Sequence, residues 1–276
     1  MLYADYYERT LFNGILGSQD PQSGMMTYFQ ATRPGYVKLY CTPFDSFWCC
    51  TGSGIENHAK YGDSIYFHDA DSLYVNLFIA STLRWRERGV QLTQTTRFPD
   101  ESTTQLTLRL ARPSQFIVRL RQPSWCAQAR VAINGANRTS YGTPGAYIEL
   151  RREWRDGDRI DVELPMRLHF EPLPRSPDVA ALMYGPIVLA GQLGTEGLSP
   201  GADIIVNERQ SGEMLHAPRE VPQWRVERRN IDRFVTRRDA RTLAFEARGV
   251  EGIASVAFIP YSAIAHERYN LYWRLT

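Results

Sequence analysis

At about Leu73 the apolar residues stop recurring every three to four positions and begin to alternate, and this change of period constrains the fold more than any other feature. Leu73-Tyr74-Val75-Asn76-Leu77-Phe78-Ile79 reads as a first strand. Residues 91–95, 105–110, 116–120, 131–135, 147–150 and 159–164 continue the alternation. Turn signals lie among them, at Asn134-Gly135 and at Asp156-Gly157-Asp158. Short strands at this spacing predict a β-sandwich. Pro165 and the cluster Pro172, Pro174 and Pro177 mark a boundary or crossover. A second β region follows, with residues 179–190 as its most buried pair of strands, and it closes with 255–260 and 269–273. Residues 195–230 are polar and Arg-rich and read as a long loop.

Before the switch the period is helical. Tyr7, Leu11 and Ile15 recur every four residues beside Phe12 and Leu16, which gives one apolar stripe; Gly17 and then Asp20-Pro21 stop it. Residues 18–48 are rich in Gly, Pro and aromatics, an irregular stretch more typical of a functional loop than of a linker. After Cys50, Thr51 or Ser53 is expected to cap a helix running to about Tyr66. The expected architecture is mainly β with a helical N-terminal part, divided as 1–72, 73–165 and 166–276.

With 276 residues, 43% of them hydrophobic, the chain can bury two cores. Basic and acidic residues nearly cancel at a net charge of +2, which argues against a nucleic-acid or anionic-membrane partner. Only Lys38 and Lys60 are lysines, but the arginines are scattered among acids, as genome composition would leave them, and are weak evidence for phosphate binding. No stretch reaches the ~18 apolar residues of a membrane span. The first residues lack the basic start and apolar run of a signal peptide. The chain opens inside an amphipathic helix, from which upstream sequence is expected; the compartment stays open between cytoplasmic and periplasmic or secreted.

Four cysteines, Cys41, Cys49, Cys50 and Cys126, are too few for a disulfide scaffold. Cys49 and Cys50 precede a Gly-rich turn and a helix, where free N–H groups and the helix dipole favour a thiolate. Two adjacent thiols ionise together cheaply only around a cation, and zinc is the usual one; the alternative is a pair of buried small hydrophobes. Cys41 reads as an inert thiol and Cys126 as core. His58, with Glu56 and Asn57, lies in the following helix and could face a sugar or simply bond a neighbouring segment. His68, His169, His216 and His266 suggest no role. Tyr28, Phe29, Tyr36, Phe44, Phe47 and Trp48 surround the pair in sequence and suit either a sugar pocket or a small core.

The stretch Trp48-Cys49-Cys50-Thr51-Gly52-Ser53-Gly54-Ile55-Glu56-Asn57-His58 resembles the cysteine-dependent β-L-arabinofuranosidases. The likeness continues through Tyr3-Ala4-Asp5-Tyr6-Tyr7-Glu8-Arg9, Ser18-Gln19-Asp20-Pro21, Met183-Tyr184-Gly185-Pro186 and Glu267-Arg268-Tyr269. It implies the end of an (α/α)6 barrel followed by two β-sandwich-like domains. It also implies a retaining hydrolysis of L-arabinofuranosides in which Cys49 is the nucleophile and Cys49 and Cys50 ligate zinc. Tyr28, Trp48, Glu56 and His58 are candidates for sugar contact. The substrate would be an arabinose-containing oligosaccharide or glycoprotein glycan, with a homo-oligomer left open.

That family completes its zinc site with a Glu-x-Cys motif and uses a further barrel Glu as acid/base. Neither precedes Cys49 here, so they are expected in a segment before Met1, and these residues alone are expected to bind zinc weakly or not at all. Two other functions stay open: a carbohydrate-binding or buttressing β module, and a zinc or redox protein using the adjacent cysteines.

Overall fold

The computed structural model describes residues 2–207, 223–239 and 241–276. Contacts gather the chain into two discontinuous units, Met1–Glu8 with Lys60–Met166, and Arg9–Ala59 with Arg167–Thr276. No helix among the described residues is long and apolar enough to cross a membrane.

In the first unit the alternating segments form two sheets. One runs Thr139–Tyr141, Ala129–Ile133, Arg159–Glu163, Thr103–Leu110, Val90–Thr96, Ser81–Trp85. The other runs Ala146–Trp154, Ser114–Gln122, Ser72–Val75, Tyr66–His68. Leu92, Leu106, Leu108 and Ile160 from the first sheet and Leu73, Val75, Val118 and Leu120 from the second are fully buried. The ring of Trp85 meets that of Phe116 edge-on at 5.6 Å, joining the two inner faces. The Asn134-Gly135 turn forms as expected, with φ of 53° and 73°. Left-handed geometry at both central residues matches strand twist and is cheapest for Asn and Gly.

The strand expected over 73–79 ends at Val75, opposite Leu120. Asn76 leaves the ladder because its groups are taken elsewhere. Its amide donates to Ile65, its carbonyl accepts from Arg121 Nε, and its side chain accepts from the Tyr147 hydroxyl. Leu77 and Phe78 stay buried as core without being strand. Arg121 also reaches back to helix α1 (Leu2–Arg9), pairing with Asp5 at 2.5 Å and with Glu8, whose second oxygen accepts from Trp125 Nε1 at 2.8 Å.

In the second unit the single helix expected to Gly17 changes winding at Thr10. Thr10–Ile15 is a π-helical turn and Leu16–Ser18 a 3₁₀ turn. The cause is Asn13, whose side-chain amide donates to Arg9 O (2.7 Å) and Pro186 O (2.8 Å) while its oxygen accepts from Val188 N (2.7 Å). A side chain inserted into the helical ladder in this way produces such a turn.

The large sheet of this unit is ordered Leu168–Leu173, Ser176–Tyr184, Ile187–Gly194, Val256–Pro260, Phe245–Ala247, Val235–Arg237; Arg268–Asn270 and Tyr272–Arg274 pair with Ile187–Gly194 and Ser176–Tyr184. Pro172 and Pro177 sit inside the first two strands of a hairpin, so this cluster is no crossover. Pro172 is tolerated because its strand is at the sheet edge. A smaller sheet, Thr27–Gln30, Lys38–Cys41 and Ile204–Ile205, has Lys38–Cys41 at its centre. Ile204–Ile205 falls inside the segment expected to be loop, and pairs parallel to Tyr40 and Cys41; positions 208–222 of that segment, with His216, lie outside the described residues.

Trp224, Phe258 and Trp273 form an aromatic core with ring centroids 5.3–5.7 Å apart. Gly191 makes room for it, since a Cβ there would stand 2.4 Å from Trp273 Cζ2. Gly191→Ala is therefore expected to destabilise this unit by about 1–3 kcal/mol through overpacking. An unchanged urea midpoint would show that the indole shifts freely.

Candidate active site

Helix α2 (Cys49–Glu56) begins two residues earlier than Thr51, the first expected cap. Trp48 is its N-cap, with extended backbone (φ −92°, ψ −179°), and its carbonyl accepts from Gly52 N at 3.1 Å. Both cysteines thus occupy the first turn, where backbone N–H groups have no intrahelical acceptor. The helix ends at Glu56 rather than near Tyr66. Asn57 donates its side-chain amide to Ser53 O and Gly54 O, competing with the backbone ladder, and the chain tightens into a 3₁₀ turn, Asn57–Lys60.

Cys49 and Cys50 are exposed in this chain. Their sulfurs are 3.8 Å apart. The Cys50 thiol is pushed up from its ordinary value, first by its hydrogen bond with Cys49 and then by desolvation, against a hydrogen bond with Tyr28 that pulls it down. The helix start therefore does not by itself make a thiolate of Cys50, because the neighbouring sulfur opposes the charge. Cys41, in the central strand of the small sheet, and Cys126 are buried. Among the described residues no group of three His, Cys, Asp or Glu is placed to hold a metal ion. Iodoacetamide at neutral pH is expected to label Cys49 and Cys50 at least tenfold faster than Cys41 and Cys126, on the order of what burial imposes on a thiol. Equal rates at all four, read by peptide mass spectrometry, would contradict the placement.

Tyr28, on Thr27–Gln30, stands edge-on to Trp48 (centroids 5.1 Å) and to Phe29 (4.7 Å). Phe29, Phe44 and Phe47 are exposed, so the local aromatics do not close into a small core. Beneath them the helix rests on buried Met26; a Cβ on Gly54 would lie 3.3 Å from its Cε. Tyr36 joins a different contact, a backbone bridge to Tyr269 with Arg33 over its ring. Glu56 and His58 lie at the other end of the helix. Glu56 follows Cys49 by seven residues, a rise of about 10 Å, too far for direct contact with the sulfurs. The structure thus brings Tyr28 and Trp48 to the cysteine pair and leaves Glu56 and His58 a helix length away.

One constellation goes unannounced in the sequence. His266 lies between Asp203 (Nδ1···Oδ2 2.5 Å) and Asp20 (Nε2···Oδ2 3.1 Å). Burial works against the imidazolium, but the two carboxylates outweigh it and hold the ring above its ordinary value. Burial would likewise raise Asp20, yet Ser23, Gln22 and His266 hold it low. Nearby, Lys38 is buried with its ammonium donating to Tyr261 O (3.0 Å) and Ile264 O (2.8 Å), and desolvation lowers it to about 7. The only local sign was Asp20-Pro21, which reads as a helix stop; its partners are 183 and 246 residues away.

Two family models match this chain, the GH127 catalytic domain of β-L-arabinofuranosidase over residues 1–63 and the GH127 middle domain over 72–166, together more than half its length. The chain belongs to the GH127 β-L-arabinofuranosidase family. A third model, described as a domain of unknown function, matches residues 169–275. Three solved structures show the same fold: one called a glycoside hydrolase (TM-score 0.73, 19% identity, 99% of this chain and 48% of that one); a GH127 β-L-arabinofuranosidase from Geobacillus stearothermophilus T6 (0.70, 20%, 99% and 46%); and a further GH127 β-arabinofuranosidase (0.63, 18%, 99% and 46%). At these identities the likeness establishes the fold alone. This GH127 chain spans about half the length of those structures. No curated protein matches it.

Proposed function

We propose that the chain supplies the nucleophile-bearing part of a retaining hydrolase of L-arabinofuranosides, the rest of whose site is carried by the half of the GH127 fold that the chain does not span. The observation that carries this reading is the exposed Cys49-Cys50 pair in the first turn of α2, inside the span matched by the catalytic-domain model.

The sulfur separation fits a zinc ion as far as two ligands go. Thiolates ~2.3 Å from a tetrahedral zinc stand about 3.8 Å apart, so Cys49 and Cys50 need no rearrangement to share one. Two ligands leave the coordination open, and a family member would close it with a Glu and a Cys from elsewhere in its fold. Bound there, zinc would favour the thiolate over the thiol and so make both a better nucleophile and a better leaving group.

In this reading Cys49 Sγ attacks the anomeric carbon as the glycosidic C–O bond breaks, and a carboxylic acid outside this chain protonates the departing oxygen. Water, deprotonated by the same carboxylate, then displaces sulfur and releases arabinose with retained configuration. Tyr28 and Trp48 offer flat faces for sugar C–H groups, with the Tyr28 hydroxyl as the polar anchor. Arabinose-containing glycans are the corresponding substrates.

The test is turnover of p-nitrophenyl β-L-arabinofuranoside. The 276 residues alone are expected to be inactive, and the same residues joined to a GH127 barrel segment bearing the Glu-x-Cys ligands are expected to be active. Robust hydrolysis by the 276 residues alone would overturn the assignment.

A further inference from the structure

His266 is bound on both ring nitrogens by carboxylate oxygens. An ionised carboxylate only accepts, so holding both contacts requires a proton on each nitrogen. Asp20 is occupied as an acceptor from the Gln22 and Ser23 amides and from the Ser23 hydroxyl, which is consistent with its staying ionised. His266 also sits at φ 53°, a left-handed conformation uncommon outside glycine, which the two contacts help to hold.

The two carboxylates belong to the segments entering the outer strands of the small sheet. Asp20 closes the turn that returns to Met26 (Asp20 N to Met25 O, 2.7 Å) and leads into Thr27–Gln30, the strand of Tyr28. The main-chain carbonyl of Asp203 accepts from Tyr40 N (2.7 Å), and the residue leads into Ile204–Ile205. Between them Tyr40, on the central strand, places its ring 5.2 Å from the imidazole. One ring therefore ties both edges of the sheet that carries Tyr28 beneath the cysteine helix.

We propose that His266, as an imidazolium bridging Asp20 and Asp203, is a positioning residue that sets Tyr28 against Cys50, and that losing its proton releases the Tyr28 strand. The relevance to catalysis rests on the function proposed above; the positioning itself does not. Among the described residues, the charged and titratable groups facing the imidazole are Asp20, Asp203 and Tyr40. Lys38 lies beyond Asp20 and titrates in the same range, but it is aimed at the Tyr261 and Ile264 carbonyls. Because the folded imidazole is held above its ordinary value, the bridge is fully present below about pH 6.5 and is lost as pH rises through the elevated value.

The experiment is an NMR titration of the 276-residue chain from about pH 6 to 9, following the His266 and Tyr28 rings and amide exchange over residues 27–30. His266 is expected to titrate above the free-imidazole value, with the Tyr28 ring moving at the same midpoint. Exchange, corrected for base catalysis, should speed up on the order of tenfold above it, the scale of one charge-assisted hydrogen bond. His266→Gln should abolish the Tyr28 step; should that variant not fold, Asp203→Asn should lower the shared midpoint. A Tyr28 step that persists unchanged in His266→Gln would belong to another group, Lys38 or the Cys50 thiol that Tyr28 engages, and overturn the proposal, as would an ordinary His266 midpoint or a Tyr28 ring that never moves. None of these readouts depends on turnover, so failure of the glycosidase reading and failure of this one are told apart.

Discussion

Replacing Arg121 by alanine is expected to destabilise the first unit by about 3–5 kcal/mol, the scale for breaking a buried ion pair by removing one partner. The Arg121 side chain is fully buried, and its guanidinium serves Asp5, Glu8 and the Asn76 carbonyl together. Truncation leaves Glu8, itself 0% exposed, beside Asp5 with no cation and strands the Asn76 carbonyl. Arg121→Lys should recover little, because one ammonium cannot match a fork that reaches three acceptors.

Burial already pushes the Glu8 carboxyl above its usual range, with Arg121 and the Trp125 indole pulling the other way. Without Arg121 that rise should grow. The folded state then binds a proton that the unfolded chain has released, so the variant loses stability as pH rises above about 4.3 and should be less impaired at about pH 4 than at about pH 7. Replacing the network together, as Arg121→Met with Glu8→Leu, should restore much of the loss, because two apolar groups need no partner. Urea unfolding of the three variants measures this; a loss under about 1 kcal/mol in Arg121→Ala would mean that water enters and solvates the carboxylates.

What the sequence disclosed divides by the range of the interaction. The strands Val90–Thr96, Thr103–Leu110 and Arg159–Glu163 were legible because burial on one face writes itself into neighbouring residues as alternation. The position of the cysteine pair at a helix start was legible through its immediate context, the Gly-rich turn that follows it. The misreadings came where a distant side chain overrides local pattern. Asn13 rewinds a helix by bonding Pro186 and Val188, and Arg121 helps end a strand by taking the Asn76 carbonyl. Pro172 reads as a breaker unless the strand is known to be an edge. His266 seemed idle because both of its partners are far away in sequence. No periodicity records any of these contacts.

The largest effect is expected at Cys49. In a protein that joins these residues to the remainder of a GH127 fold, Cys49→Ser should lower kcat on the order of 10⁴-fold or more, as loss of a nucleophile does elsewhere. A serine hydroxyl is not ionised near neutral pH and lacks both the nucleophilicity of a thiolate and its affinity for zinc. The two sulfurs are distinguishable. The family resemblance gives attack to Cys49 and metal holding to both, and Tyr28 engages Cys50. Cys50→Ser should therefore lose bound metal and activity together and in proportion, so that residual activity tracks metal content. Cys49→Ser should remain inactive even when metal is restored by adding excess zinc. Fragment-ion mass spectrometry of a slow-substrate reaction quenched in acid should place the arabinosyl group on Cys49 and not on the adjacent Cys50. An adduct on Cys50, or a metal-replete Cys49→Ser enzyme within about tenfold of wild type, would reverse the assignment of the two cysteines, since tenfold corresponds to only about 1.4 kcal/mol of the barrier.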